Sequence, residues 1–382
     1  MTAAGPIRTD VLDPLDWRVF ARDHWDRRPV VLRPAGPGTA PFDRNEVFES
    51  AVVAAQFAVT AARAELTVGS RLLTDPGDLL PLQEDGSFAR YDLRLAGRTE
   101  GQPFALAVHA LHAGHHPLWA RERSFLAGLW DEVGRPHGAV STTLTHSTRE
   151  PLVPAEAARE ARFVCLLTGR RHLRVTDGDG TTSVAATVPG DLLYLPPGHA
   201  WSADPAPRPV TTVRVGVPRD AHPHCPPPHP HEPDPPGRPG GDDILVRGDG
   251  DAAGALPAVL AGALDAFRLA ARPAATERRL VREALRHATD GGLRPVPPAA
   301  RPGWFTDDDV VRAVEPVLWA PGAGRRPVAA CGHVTETDLS EAELAAFLGV
   351  LNAGRPVAVV ELTPPARNLL SVLAGFRAIE RL

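Results

Sequence analysis

Histidine is the residue type of this chain best suited to chemistry, and its 15 copies are unevenly spread. His24-Trp-Asp26 has the spacing of an imidazole and a carboxylate that could share one ion. Its neighbours Trp17, Phe20 and Trp25 recur near helical spacing, so the motif reads as part of a packing helix. His109, His112, His115 and His116 crowd ahead of Pro117. Alternation would put His109 and His115 on one side of a strand, but a turn at Gly114 intervenes, and a surface loop or sheet edge is favoured over a zinc site. His222, His224, Cys225, His229 and His231 stand among prolines and offer ligands that could take Zn, Cu or Ni adventitiously. The prolines prevent a compact, prearranged cage. No Gly-x-Ser-x-Gly elbow, Rossmann fingerprint or phosphate loop is present.

Composition narrows the field. With 382 residues and 43% hydrophobic content the chain can bury a real core in two or three domains. All 41 basic residues are arginine. A Schiff-base lysine is therefore excluded, and any anion must be held by arginine. The net charge of −5 gives no basic footprint for nucleic acid. The three cysteines, Cys165, Cys225 and Cys331, are far apart and form no CxxC pair, which suits a reducing cytoplasm. Cys165 reads as a small buried apolar residue. The first residues lack an apolar run behind basic ones, so no signal peptide is expected. No stretch approaches the ~18 apolar residues of a membrane span.

The elements follow from hydrophobic period and punctuation. A helix is expected from Asp16, closed by Pro29, with a strand at Val30 to Arg33. Asn45 to Leu66 reads as a helix with Phe48, Val52, Phe57 and Val59 on its apolar side. Arg90 to Leu95 and Phe104 to His109 alternate like strands. His116 to Trp130 is amphipathic, with Pro117 in its first turn, and Ala139 to His146 is β-branched and strand-like. Arg162 to Val217 resembles the second half of a double-stranded β-helix. Pro218 to Asp243 is a composition break, read as an exposed linker partly in polyproline II. Helices are expected at Leu256 to Ala270, Ala275 to His287, Trp304 to Trp319 behind a capping signal at Thr306, and Thr337 to Asn352 with Ser340 as N-cap and Glu343 three residues on. A strand follows at Pro356 to Leu362. The Thr337 to Asn352 helix carries Asp338, Glu341 and Glu343 and no arginine, so it suits a structural or protein-contact role better than a nucleic-acid one.

Three segments together resemble a known family. They are Phe20-Ala-Arg-Asp-His-Trp-Asp-Arg-Arg-Pro-Val-Val-Leu-Arg33; Ala107-Val-His-Ala-Leu-His112 with His116-Pro-Leu118 and the strand ending at Thr145; and Gly169-Arg-Arg-His-Leu-Arg-Val175 with Pro189-Gly-Asp-Leu-Leu-Tyr-Leu-Pro-Pro-Gly198. Their order and spacing are similar to the JmjC/cupin-like proteins of bacterial ribosomal-oxygenase type. The resemblance implies an α+β chain. A jelly-roll barrel over residues 1–218 precedes a His/Pro-rich linker at 219–243. A helical dimerisation segment at 244–300 and a winged-helix-like unit at 301–382 complete it. Family members are Fe(II)/2-oxoglutarate hydroxylases of protein side chains, and many dimerise through the helices after the barrel.

The motif that should carry the chemistry departs from the family pattern. The family's His-x-Asp falls between Thr145 and Phe163, where counting back from Gly169 finds Glu156 and Ala158. Residues 147–162 contain neither histidine nor aspartate. The distal histidine, three residues after Gly198, is Trp201. His146, Glu156 and His199 could form a relocated set of two imidazoles and a carboxylate, but three coordinated moves would also displace the groups that orient them. Polar residues around a pocket mouth, with Thr145 and Trp201 in its wall, are the favoured reading. Arg171, on a barrel strand, could hold a 2-oxoglutarate carboxylate bidentately, or be a solvated outer-face arginine. The expectation is a cytoplasmic, homodimeric, non-catalytic member that binds a peptide or protein and no nucleic acid or membrane, and needs no cofactor. The alternative is a hydroxylase using Fe(II) and 2-oxoglutarate at the relocated site.

Overall fold

The computed structural model describes residues 15–33, 41–56, 62–148, 160–176, 182–203, 208–219, 273–322 and 324–382. The His/Pro-rich linker, the expected helix at Leu256 to Ala270, and Glu156 lie outside them. The N-terminal part is built around an antiparallel sheet of eight strands: β1 (Val30–Leu32), β2 (Arg63–Val68), β3 (Arg71–Leu73), β4 (Phe104–His109), β5 (Ser141–Ser147), β6 (Glu160–Thr168), β9 (Leu192–Leu195) and β11 (Val210–Pro218). Their order is β1-β9-β6-β11-β5-β4-β2-β3. A second sheet, β10-β7-β8, joins β7 (Arg171–Thr176), β8 (Thr182–Thr187) and β10 (Ala200–Ala203).

Alternation along each strand gives both sheets two distinct faces. Val31, Val164, Leu193 and Leu195 of the large sheet pack with Leu173 and Val175 of the small one, and Trp201 joins them. The two sheets therefore face each other across this cluster. The opposite face of the large sheet bears Phe163, Cys165, Tyr194, Val213 and Val215, which merge with the helices in the main core. Tyr194 stacks on Trp25 at 5.6 Å and meets Phe20 edge-on at 4.8 Å. This is the N-terminal packing motif of the sequence: His24 is buried and stacked on Phe20, as expected. Cys165 is buried too, and burial pushes its thiol up to about 12.

Helices α1 (Trp17–Asp23), α2 (Arg44–Gln56), α3 (Phe88–Arg98) and α4 (His116–Val133) cover that outer face. Three expectations change here. α2 is described to Gln56, Phe57 and Val59 lie outside the described residues, and Leu66 belongs to β2, where it is wholly buried against β4. Arg90 to Leu95 is helical: Phe88, Tyr91 and Leu95 bury one helical stripe while Leu93, which alternation would have turned inward, is 77% exposed. Ser87 caps this helix by accepting the Arg90 N–H. The histidines before Pro117 form no surface loop. His112 is wholly buried, 3.2 Å from the equally buried Glu122, and His115 caps α4 by accepting the Leu118 N–H.

Beyond the linker, α5 (Pro273–Thr289) leads to two three-stranded sheets. One orders β16 (Val357–Ala358), β12 (Val310–Ala313) and β17 (Ile379–Arg381), and the other β13 (Leu318–Trp319), β14 (Arg326–Ala330) and β15 (His333–Thr337). The expected helix at Trp304 to Trp319 is absent. Asp309 accepts the Thr306 N–H at 2.6 Å, which closes a turn, and the β-branched pair Val310 and Val311 then enters a sheet between β16 and β17. The expected strand at Pro356 to Leu362 is only Val357–Ala358 followed by a 3-10 turn. Helix α6 (Glu341–Asn352) starts on the anticipated capping box, Ser340 with Glu343, and α7 (Pro364–Gly375) contacts β15 and β17. This part is tied to α4 through the indole N–H groups of Trp119 and Trp130, which donate to the Leu293 and Gly291 carbonyls, and through the Arg123–Glu315 pair. No helix among the described residues is long and apolar enough to cross a membrane.

Candidate binding site

The groups expected to form one site divide between the two faces of β5. Thr145 and His146 are neighbours, so their side chains leave opposite faces. Thr145 shares the inner face with Thr212, its partner on β11. His146 points outward and is buried. Its Nε2 lies 2.6 Å from Asp92 Oδ1 and its Nδ1 2.9 Å from Thr211 Oγ1. Its ring stacks on Phe88 at 4.7 Å and lies against Tyr91 and Phe104. Both nitrogens are thus committed among aromatic rings. The Asp92–His146–Thr211 chain has the order of a nucleophile triad, but Thr211 is wholly buried and its oxygen already accepts the Thr168 hydroxyl at 2.7 Å. It serves to lock α3 onto β5 and β11.

His199 stands in the turn between β9 and β10, not on a strand, and its Nδ1 lies 3.3 Å from the Pro197 carbonyl. Trp201, two residues on, does face the inner cluster, opposite Val175. Its indole nitrogen is buried without a hydrogen-bond partner. Arg171 opens β7 and pairs with Thr187 across to β8. Of the expected set, Thr145 and Trp201 face inward, His146 faces outward and His199 sits in a turn, while Glu156 lies outside the described residues. The described residues do not suit Fe(II), which wants two imidazoles and a carboxylate on one side of the ion. No group of three histidine, cysteine, aspartate or glutamate side chains among them could hold a metal.

Two arginines not singled out in the sequence occupy the inner face instead. On β6 the inward residues are Glu160, Arg162, Val164 and Leu166, and on β11 they are Thr212, Arg214 and Gly216. Arg162 is opposite Gly216 and Leu195, and Arg214 is opposite Val164 and Thr143, so the arginines are diagonal neighbours on one face. Arg162 is only 4% exposed. Neither guanidinium has a hydrogen bond or ion pair among the described residues, and each Nε is shut off from solvent. Burial lowers both pKa values from the usual arginine range; repulsion from Arg214 adds to this at Arg162, and Glu160 opposes it at both. A Cβ at Gly216 would lie 2.5 Å from Glu160 Oε2 and 2.6 Å from Ser141 Oγ, so the missing side chain makes room for a carboxylate and a hydroxyl. The signal was present as period 2: each arginine alternates with apolar residues that belong to the main core.

No protein-family model matches the chain, and no curated protein sequence matches it. Among solved structures it is similar to YcfD, a ribosomal oxygenase from Escherichia coli, at 16% identity over 99% of each chain with a TM-score of 0.47. It is likewise similar to YcfD in complex with cobalt and 2-oxoglutarate, at 16% identity over 96% of this chain and 98% of that one, with a TM-score of 0.45. Procruciferin, an 11S globulin from Brassica napus, matches 21% of each chain at 12% identity with a TM-score of 0.18.

Proposed function

We propose that the two facing sheets are a double-stranded β-helix of JmjC/cupin type that binds a peptide or protein ligand between them and performs no iron chemistry. The sheet orders β10-β7-β8 and β9-β6-β11-β5 support the barrel reading. The observation that carries the function is the outward commitment of His146 to Asp92 and Thr211, together with an indole at Trp201 on the inner face. An imidazole already hydrogen-bonded at both nitrogens, on the far side of a sheet, is a packing group and not a metal ligand. On this reading the chain acts as a homodimer through residues 244–300, with 301–382 as a winged-helix-like protein-contact unit. The hydroxylase alternative, with Glu156, His146 and His199 on Fe(II) and Arg171 on 2-oxoglutarate, would need β5 shifted by one residue. That slip would also expel Leu144 from the main core.

Anaerobic titration of the full chain with Fe(II) and 2-oxoglutarate, followed by an oxygen-dependent decarboxylation assay, tests this. The expected result is no stoichiometric iron and no turnover above buffer. Turnover that is lost in His199→Ala or His146→Ala, with the fold intact, would overturn it.

A further inference from the structure

We propose that Arg162 and Arg214 hold the carboxylate of an amphipathic monocarboxylate whose apolar body lies against Trp201, Leu193 and Leu195. The inference rests on the binding-module reading above and names its ligand class. A buried N–H donor without a partner is costly, so a native chain that keeps two such Nε donors on one face, on the buried Arg162 and the half-buried Arg214, points to an absent anion. The diagonal register lets the two forks approach one carboxylate from either side, which is the geometry that makes arginine effective for this group.

Charge sets the valence. Among the described residues the inner face at this end carries Arg162, Arg214 and Glu160 and, on the neighbouring strands, His109 beside the Arg63–Glu65 ion pair, so its arginines and glutamates sum to a single positive charge that one carboxylate neutralises. A dianion would leave an unbalanced charge in a desolvated space. The surroundings set the rest of the molecule. Arg162 is opposite Leu195, the last residue of β9, and the short turn after it returns the chain to the partly exposed Trp201, so aliphatic and aromatic side chains stand beside the arginines at the same end. The Trp201 N–H, itself without a partner, is a further donor. Such a carboxylate could come from a free apolar acid or from the C-terminus of a peptide.

Calorimetric titration of the full chain with hexanoate, hexanamide, 2-oxoglutarate, and a hexapeptide ending in leucine with a free or amidated terminus tests the assignment. Hexanoate should bind, with hexanamide weaker by about tenfold or more, and Arg162→Gln and Arg214→Gln should each cost about tenfold or more. The free peptide binding more tightly than hexanoate, and better than its amide, assigns the ligand to a peptide terminus. Hexanoate binding alone assigns it to a free acid. Equal binding of hexanoate and hexanamide, or no binding of any carboxylate, would overturn the proposal. Metal-independent binding of 2-oxoglutarate in preference to hexanoate would overturn the monoanion assignment. Oxygen-dependent turnover would sink the binding-module reading separately. If Arg162→Gln fails to fold, Arg214→Gln and the acid–amide comparison still decide.

Discussion

Arg162→Met should make the ligand-free protein more stable. The substitution keeps an unbranched apolar stem beside Leu195 and Val164 and removes a guanidinium whose Nε finds no acceptor. A buried donor left unsatisfied costs about 1–3 kcal/mol. Removing the charge also relieves repulsion from Arg214, offset by the lost attraction to Glu160. A net gain of about 1–2 kcal/mol follows, and for a unit of this size each kcal/mol moves Tm by roughly 2–4 °C. The midpoint should therefore rise by about 2–8 °C, read by urea titration with unchanged slope and by thermal melts in carboxylate-free buffer. Hexanoate at a hundred times its Kd should then stabilise the wild type by about 2.7 kcal/mol and the variant hardly at all, so the order of stability reverses. That crossing separates a group retained for a ligand from one retained for the fold. A loss of stability of 1 kcal/mol or more in Arg162→Met without ligand would refute the reasoning, because the guanidinium would then be supporting the sheets.

His146→Ala should lower stability by about 2–4 kcal/mol, since it removes the ring stacked on Phe88 and strands Asp92 and Thr211. Urea titration reads it, and hexanoate affinity of the folded fraction should not change. Glu122→Ala should cost about 3–5 kcal/mol in the same assay, because it leaves His112 and Thr142 buried without their shared partner. Acid should weaken the contact between α4 and the C-terminal part. Burial, with Arg377 and Arg123 nearby, lowers the His116 pKa from 6.5 to about 4. The native state therefore favours neutral imidazole, so this contribution is complete above pH 6.5 and is lost as the pH falls towards 4. It amounts to at most about 3 kcal/mol, and less where water still reaches the ring. His116→Gln should flatten the urea midpoint between pH 7 and pH 4.5.

Strand periodicity made the core strands readable, and the same periodicity explains what escaped. β6 is buried on both faces, so its residues read as one apolar run, and Arg162 looked like the edge of the strand and not a member of its inner row. Tyr91, Leu93 and Leu95 imitate alternation, while the stripe that packs is Phe88, Tyr91 and Leu95; only the neighbours of α3 decide between periods of 2 and 3.6. The Thr306 signal was real chemistry used for a different purpose, since an acidic side chain three residues on closes a turn as readily as it caps a helix.

The site turned on a parity that one chain alone does not reveal. Nothing local says whether Thr145 or His146 looks inward; the choice is made by Leu144, which is wholly buried in the main core and forces both of its neighbours to the other side. Once Leu144 points outward, Thr143 and Thr145 must face the small sheet, and His146 must join Leu144 on the helix side. The same row then carries Arg214 opposite Thr143. The choice that withdraws an imidazole from the inner space therefore also delivers a guanidinium to it. The described part of this face, supplied with charged donors and an indole, is suited to gripping an anion.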